Sequence, residues 1–275
     1  MANAAPSFAH RLSSTTSGPA ASGPATSGPT TSGTGGGFTR SGAPIIGVTP
    51  SLDAGRKLRP GSDYWYLNRN YTRALAQAGA APLVLCPDTP VEACLALCAG
   101  IVLSGGGDLP ESFAPEHELG WQAAVPGEAE SLERIRWERE LLQAFADQGR
   151  PVLGVCFGMQ LMNLHFGGKL LLDLSQRPQR GLDHGGGGNS VPHALRVARD
   201  SRFFQGWTPP AIVSSSHRQA VAEVAPHFVA SAWAPDGVVE AIEREQLLGV
   251  EWHPESDASA SFVYGRWLEQ ILKRR

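Results

Sequence analysis

The chain has 275 residues, a formal net charge of −3 and only four cysteines. That balance leaves no basic footprint for nucleic acid, and no apolar run approaches the ~18 residues that cross a bilayer. Cys86, Cys94, Cys98 and Cys156 form neither a CxxC pair nor a disulfide framework, so a reduced, cytoplasmic setting is expected.

Residues 1–41 are built from Ser, Gly, Pro, Thr and Ala with an imperfect Ser-Gly-Pro repeat. Such a segment cannot bury a core and is expected to be a disordered tail. It is free of Asp and Glu and carries Arg11 and Arg40, as a transit peptide would, but the repeated Gly-Pro opposes a targeting helix. Order is expected from residue 42 to 275, starting with a strand over Ile45–Thr49. Tyr64, Leu67, Tyr71, Leu75 and Ala78 recur at helical spacing, and Gly79 ends that helix. Strands over Pro82–Leu85 and Gly100–Leu103 flank a short helix over Val91–Cys98, which makes Cys94 and Cys98 core residues. A long helix over Glu128–Gln148 leads to an apolar strand, Val152–Val155, and a helix over Met159–Phe166. Strands alternating with helices predict an α/β fold with a doubly wound, mostly parallel sheet. After Lys169 shorter strands follow over Ala194–Val197, Ala211–Val213, Phe228–Ala232, Val238–Ile242 and Leu248–Glu251, a smaller antiparallel portion. A helix over Asp257–Leu272 closes the chain.

The chemistry centres on Gly154-Val-Cys156-Phe-Gly158. A cysteine between a strand end and a helix start sits on a sharp turn, as in a nucleophile elbow, and helix N-termini favour thiolates. A buried core cysteine would give the same pattern. Ser104-Gly-Gly-Gly-Asp108 follows a strand, and its glycines let backbone N–H groups approach a ligand, although a plain tight turn reads the same way. His253 and Glu255 lie just past the carboxyl end of another strand, placed to serve as base and orienting carboxylate. A satisfied loop histidine is the alternative, and His117, His165, His184, His193, His217 and His227 compete in principle.

These stretches, with Ser214-Ser-Ser-His-Arg-Gln219 and Asp236-Gly-Val-Val-Glu-Ala-Ile-Glu243, occur in the order seen in the class I glutamine amidotransferase-like superfamily. The chain most resembles its γ-glutamyl hydrolase branch, peptidase C26-like, which includes γ-glutamyl-γ-aminobutyrate hydrolase. The resemblance covers Ile45–Leu272 and implies a flavodoxin-like fold and a Cys-His-Glu enzyme acting on linear amide C–N bonds. It implies Cys156 as nucleophile, His253 as base and Glu255 as orienter, with the N–H groups of Gly106 and Phe157 as oxyanion hole. Gln160, Ser216, His217 and Arg218 would line the substrate site. No metal and no cofactor are implied; the implied partner is a small γ-glutamyl substrate, in polyamine catabolism for the γ-aminobutyrate branch, with a homodimer as an allowed assembly. A glutaminase subunit feeding a separate synthetase, and a non-catalytic binding module, are the alternatives. Phe157 stands where the branch has Arg, Arg218 where it has a second His, and Trp137 where Asp is common. Phe157 is therefore expected to present an aromatic surface near the pocket, and residues 104–127, poor in hydrophobics, to form a lid.

Overall fold

The computed structural model describes residues 37–55, 58–110, 129–177, 181–186, 189–210 and 212–273. The tail and transit-peptide expectations up to residue 36, and the 111–127 part of the expected lid with His117, lie outside those residues.

Residues 37–44 form a turn tied to the first strand, with Phe38 bridged to Pro44 and the Ile45 N–H donating to the Gly37 carbonyl at 2.6 Å. The chain then runs through strands β1 (Ile45–Val48), β2 (Ser51–Ala54) and β3 (Asp63–Tyr66) to helix α1 (Arg69–Gln77). Next come β4 (Ala81–Val84), α2 (Val91–Leu97), β5 (Gly100–Leu103), α3 (Leu132–Asp147), β6 (Val152–Val155) and α4 (Phe157–His165). The second half holds β7 (Lys169–Leu171), β8 (Val191–His193), β9 (Arg196–Val197), β10 (Val213–Ser215), β11 (Ala220–Glu223), β12 (Val229–Trp233), β13 (Val239–Arg244), β14 (Leu247–Val250) and α5 (Ala260–Leu272).

Strands β4-β1-β5-β6-β14 pair in parallel, and β13, β11 and β7 continue the sheet antiparallel, with β12 paired to β13 and β9 to β12. This is the doubly wound α/β architecture, with an antiparallel extension. Its strands β5, β6 and β14 are buried along their whole length, because helices cover both faces. Alternation separates two cores. Val102, Leu153 and Val155 pack with Tyr71 and Leu75 of α1 and Trp267 of α5. Ile101, Leu103 and Val152 pack with Leu141 and Phe145 of α3 and Met162 of α4. Cys94 and Cys98 are fully buried in that second core, and burial pushes the Cys98 thiol up to about 12. No described helix is long and apolar enough to cross a membrane.

The helix expected from Tyr64 begins only at Arg69. Tyr64 and Tyr66 pair instead with Asp53 and Ser51 in an antiparallel hairpin. The helical spacing of Tyr64 with Leu67 and Tyr71 is fortuitous: aromatic residues suit a strand, and Asn68 caps the helix by accepting a hydrogen bond from the Asn70 N–H at 3.0 Å. The long helix likewise starts at Ser131, whose hydroxyl accepts from the Arg134 N–H at 3.1 Å. The strand expected over Ala194–Val197 divides: β8 ends at His193 and pairs with β10, while two-residue β9 pairs with β12.

Candidate active site

The site lies at the carboxyl edge of β1, β5, β6 and β14, where crossovers leave a crevice. Between β6 and α4, Cys156 has φ 50° and ψ −108°. A non-glycine residue in such a conformation costs about 1–3 kcal/mol and persists only where its surroundings hold it. They do so here: the Cys156 N–H donates to the Val250 carbonyl at 2.7 Å, and its carbonyl accepts from the Gln160 N–H at 3.0 Å. The turn needs glycine at 158, because a Cβ there would collide with the Leu103 carbonyl. As first residue of α4, Phe157 has no intrahelical acceptor for its N–H.

Past β14, the His253 N–H donates to the Ser214 carbonyl at 2.8 Å, and Trp252, fully buried, donates its indole N–H to Ser259 Oγ at 2.9 Å. These anchors fix the His253 ring, whose Nδ1 lies 2.8 Å from Glu255 Oε1. The Cys156 sulfur is near enough to the ring to act on its titration, and Sγ itself donates to the Ser216 carbonyl at 3.9 Å. Burial alone would push the imidazole pKa down; the Glu255 carboxylate and the Cys156 sulfur outweigh it and hold it well above its ordinary value. Cys156, His253 and Glu255 are thus brought together, on one wall of a cleft of about 500 Å³.

The Ser104–Asp108 loop forms the facing wall. Its organiser is Arg134, fully buried in α3, which pairs with Glu130 and Glu138 at 2.7 Å each. Arg134 also donates to the Ser104 carbonyl at 2.8 Å and to the Gly105 carbonyl at 3.4 Å. The Gly105 carbonyl is held from the same side by Ser51 Oγ, at 3.3 Å. A trans peptide places N–H opposite C=O, so the Gly106 N–H, on a residue that lines the cleft, points away from the side on which Arg134 and Ser51 hold the Gly105 carbonyl. Tyr71 fixes the same loop by accepting the Gly105 N–H at 2.8 Å, and burial raises its phenol pKa well above the ordinary value. A Cβ at Gly105 would come within 2.9 Å of His253 Cε1, so this loop and the histidine are packed in contact.

Gln160, Ser216, His217 and Arg218 all line the cleft. Gln160 donates its amide to the Gln219 carbonyl at 3.0 Å and to Glu251. Arg218 is ion-paired with Asp108, also at the cleft. Phe157 departs from expectation: its side chain is fully buried in the second core, with the Arg134 guanidinium 4.5 Å over its ring. The first residue of a helix leaving a sharp elbow turns its side chain inward, so Phe157 presents backbone alone to the site. Arg134, Tyr71 and Glu251 were not found from sequence. Tyr71 read as one more apolar position of a helix, and Glu251 as the end of a strand. Glu251 is fully buried, which pushes its carboxyl pKa well up despite the nearby His217 imidazole.

Comparison with known proteins identifies the family and the fold. The Peptidase C26 family model matches residues 44–255. The chain is similar to protein NtpR of Enterococcus hirae, 31% identical over 230 residues, covering 79% of this chain and 93% of that one. It is similar to the glutamine amidotransferase-like protein YvdE of Lactococcus lactis, 32% identical over 210 residues, covering 70% and 84%. In fold it matches the crystal structure of a glutamine amidotransferase from Thermotoga maritima, with a TM-score of 0.52, 14% identity and 84% and 83% coverage. The chain belongs to the Peptidase C26 family, of glutamine amidotransferase-like hydrolases.

Proposed function

We propose that the protein hydrolyses γ-glutamyl amides of the γ-glutamyl-γ-aminobutyrate type, releasing glutamate and an amine. One observation carries the reading: Cys156, held in a positive-φ elbow, lines the same cleft as a histidine whose Nδ1 lies 2.8 Å from Glu255. The raised His253 pKa supports an imidazolium that offsets charge developing on the Cys156 sulfur and holds a proton for the leaving amine.

The thiolate attacks the γ-carbonyl carbon, and the carbonyl oxygen gains the charge. The N–H groups of Gly106 and Phe157 receive that oxyanion. His253 gives its proton to the leaving amine as the C–N bond breaks, which leaves a glutamyl thioester. Water then attacks the thioester, His253 takes the water proton, and the thiolate departs from glutamate. Glu255 keeps the ring oriented and offsets its charge. The Arg218–Asp108 pair supports selection of the glutamyl head: opened by substrate, Arg218 meets the α-carboxylate and Asp108 the α-ammonium. Gln160 has its amide nitrogen committed, so it meets substrate through its carbonyl oxygen.

A glutamate-release screen over γ-glutamyl amines, glutamine and folyl polyglutamates, with Cys156→Ala as control, tests this. The expected result is turnover of a γ-glutamyl amine by the protein alone, lost in Cys156→Ala. Turnover of glutamine only, and only with a synthetase added, would make it a glutaminase subunit; no Cys156-dependent turnover would make it a binding module.

A further inference from the structure

The antiparallel half of the fold holds a second constellation, behind the cleft wall formed by Ser216–Arg218. His184 lies on the segment 181–186, His193 ends β8, His217 follows β10, and Glu240 lies on β13; all four are buried. Three ring nitrogens converge on one carboxylate oxygen. From Glu240 Oε1, His193 Nε2 is 3.2 Å away, His184 Nδ1 3.4 Å and His217 Nε2 3.5 Å.

The other nitrogen of each ring already has an acceptor. His184 Nε2 faces Asp236 Oδ2 at 3.1 Å, His193 Nδ1 the Ala194 carbonyl at 2.9 Å, and His217 Nδ1 the Gln219 carbonyl at 2.8 Å. A carboxylate and two carbonyls accept only, so each ring carries its proton on that side. A neutral ring then turns its lone pair inward. All three inward nitrogens, and both Glu240 oxygens, are buried without a hydrogen-bond partner. Lone pairs facing a carboxylate repel, and buried polar atoms are ordinarily satisfied. Something positive belongs between them. Protons on the rings would set imidazolium cations side by side, with ring centroids 4.8 and 5.0 Å apart. One ion satisfies the three inward nitrogens and Glu240 Oε1 at once.

We propose that His184, His193, His217 and Glu240 bind a divalent transition metal of the zinc class. In a tetrahedral zinc site with bonds of about 2.0–2.1 Å, neighbouring ligand atoms are about 3.3–3.4 Å apart. The three edges at Glu240 Oε1 bracket that length, and all the ligand atoms lie within 4.8 Å of one another. Three imidazoles and a carboxylate suit zinc, whereas magnesium and calcium take oxygen shells. The outer acceptors are those that metal-bound histidines require, and Asp236 completes a carboxylate–histidine–metal relay. Four protein ligands close the shell, so the ion is structural. It ties four separate segments together and seats His217, the middle residue of the cleft wall, without joining the chemistry.

The test uses untagged full chain carrying Cys156→Ala, so that the nucleophilic thiolate captures no metal. The protein is stripped with chelator, reloaded with zinc and assayed for bound metal and melting temperature. The expected result is about one zinc per chain, melting raised by about 5 °C or more on loading, and tetrahedral cobalt absorption without a thiolate band. His193→Ala and Glu240→Gln should each weaken zinc binding by about 100-fold or more, and Asp236→Asn, outside the shell, by about 10- to 100-fold. Failure to bind zinc would overturn the proposal, and so would unchanged affinity in both ligand variants. If the ligand variants do not fold, Asp236→Asn decides: unchanged affinity there overturns it.

Discussion

The molecule uses histidine beside glutamate twice, and the two places differ in where the protons go. In the cleft, His253 has Glu255 on one nitrogen and the Cys156 sulfur near enough to act on its titration, and a fifth of its side chain remains open. That ring can lose and regain a proton within one site. In the antiparallel half, three closed-off rings spend their protons outward and turn their other nitrogens on one carboxylate. Residue type alone therefore does not assign a role; the partner of the second nitrogen does. The same contrast separates the two glutamates, one orienting a ring that exchanges protons, the other facing three that do not.

The largest expected effect comes from the support beneath the cleft. Arg134→Met leaves Glu138 buried without its counter-charge, and breaking a buried pair this way costs about 3–5 kcal/mol. Denaturant titration should show that loss, with Arg134→Lys failing to restore it because Lys lacks the planar fork that spans both glutamates and the Ser104 carbonyl. A change below about 1 kcal/mol would mean the loop is held by other contacts.

Next in size is the carboxylate behind His253. Glu255→Gln should lower kcat by about 100-fold, or about 2.7 kcal/mol, and keep the fold. The pH profile sharpens the comparison. His253 titrates above its ordinary value of about 6.5, so kcat/KM keeps its acid at neutral pH and loses it as pH rises through that higher value. Removing the carboxylate removes an upward influence, so the alkaline limb must move to lower pH. In stability terms the pairing contributes fully below about pH 6.5 and fades as pH rises through the folded value. An alkaline limb that stays in place would remove Glu255 from the orienting role.

Smaller is the effect of Arg218→Ala, which should raise KM by about 10-fold with kcat little changed, because a carboxylate contact is made equally in ground and transition states. Part of the gain is offset by opening the pair with Asp108. A loss confined to kcat would place Arg218 elsewhere in the cycle. The smallest expected effect is from deleting residues 1–36, ahead of the turn tied to β1. Melting and turnover should stay within about 0.5 kcal/mol of the full chain.

What sequence made legible followed contiguity. Strand, Cys156 and helix are consecutive, and His253 and Glu255 are two residues apart, so local pattern carried their placement. The parallel strands β1, β4, β5 and β6 read correctly because each is an apolar run, and β5 and β6 matched residue for residue, whereas β14, expected in the antiparallel portion, pairs in parallel with β6 because that register places His253 beside the elbow. Arg134 was invisible because a guanidinium in a helix reads as a solvated charge until distant Ser51 and Ser104 close around it. The Phe157 side chain was misplaced because a one-residue turn decides which way it faces. The His184–His193–His217–Glu240 grouping spans a separation of 56 residues, the difference between 240 and 184, and appears only once the β8–β10 hairpin packs near β13. Tyr64 shows the opposite failure, a helical period that a hairpin partner overrode.

The most direct measurement is to trap the acyl-enzyme. A γ-glutamyl amine is mixed with the full chain, the reaction is quenched in acid within one turnover, and the peptides are mapped by mass spectrometry. A glutamyl thioester should be found on Cys156 and on no other cysteine, because Cys94 and Cys98 are buried with raised pKa values and the Cys86 pKa is also raised. The adduct should vanish with hydroxylamine and be absent from Cys156→Ala. Glutamate release at full rate with no adduct on Cys156, or with release persisting in Cys156→Ala, would contradict the account.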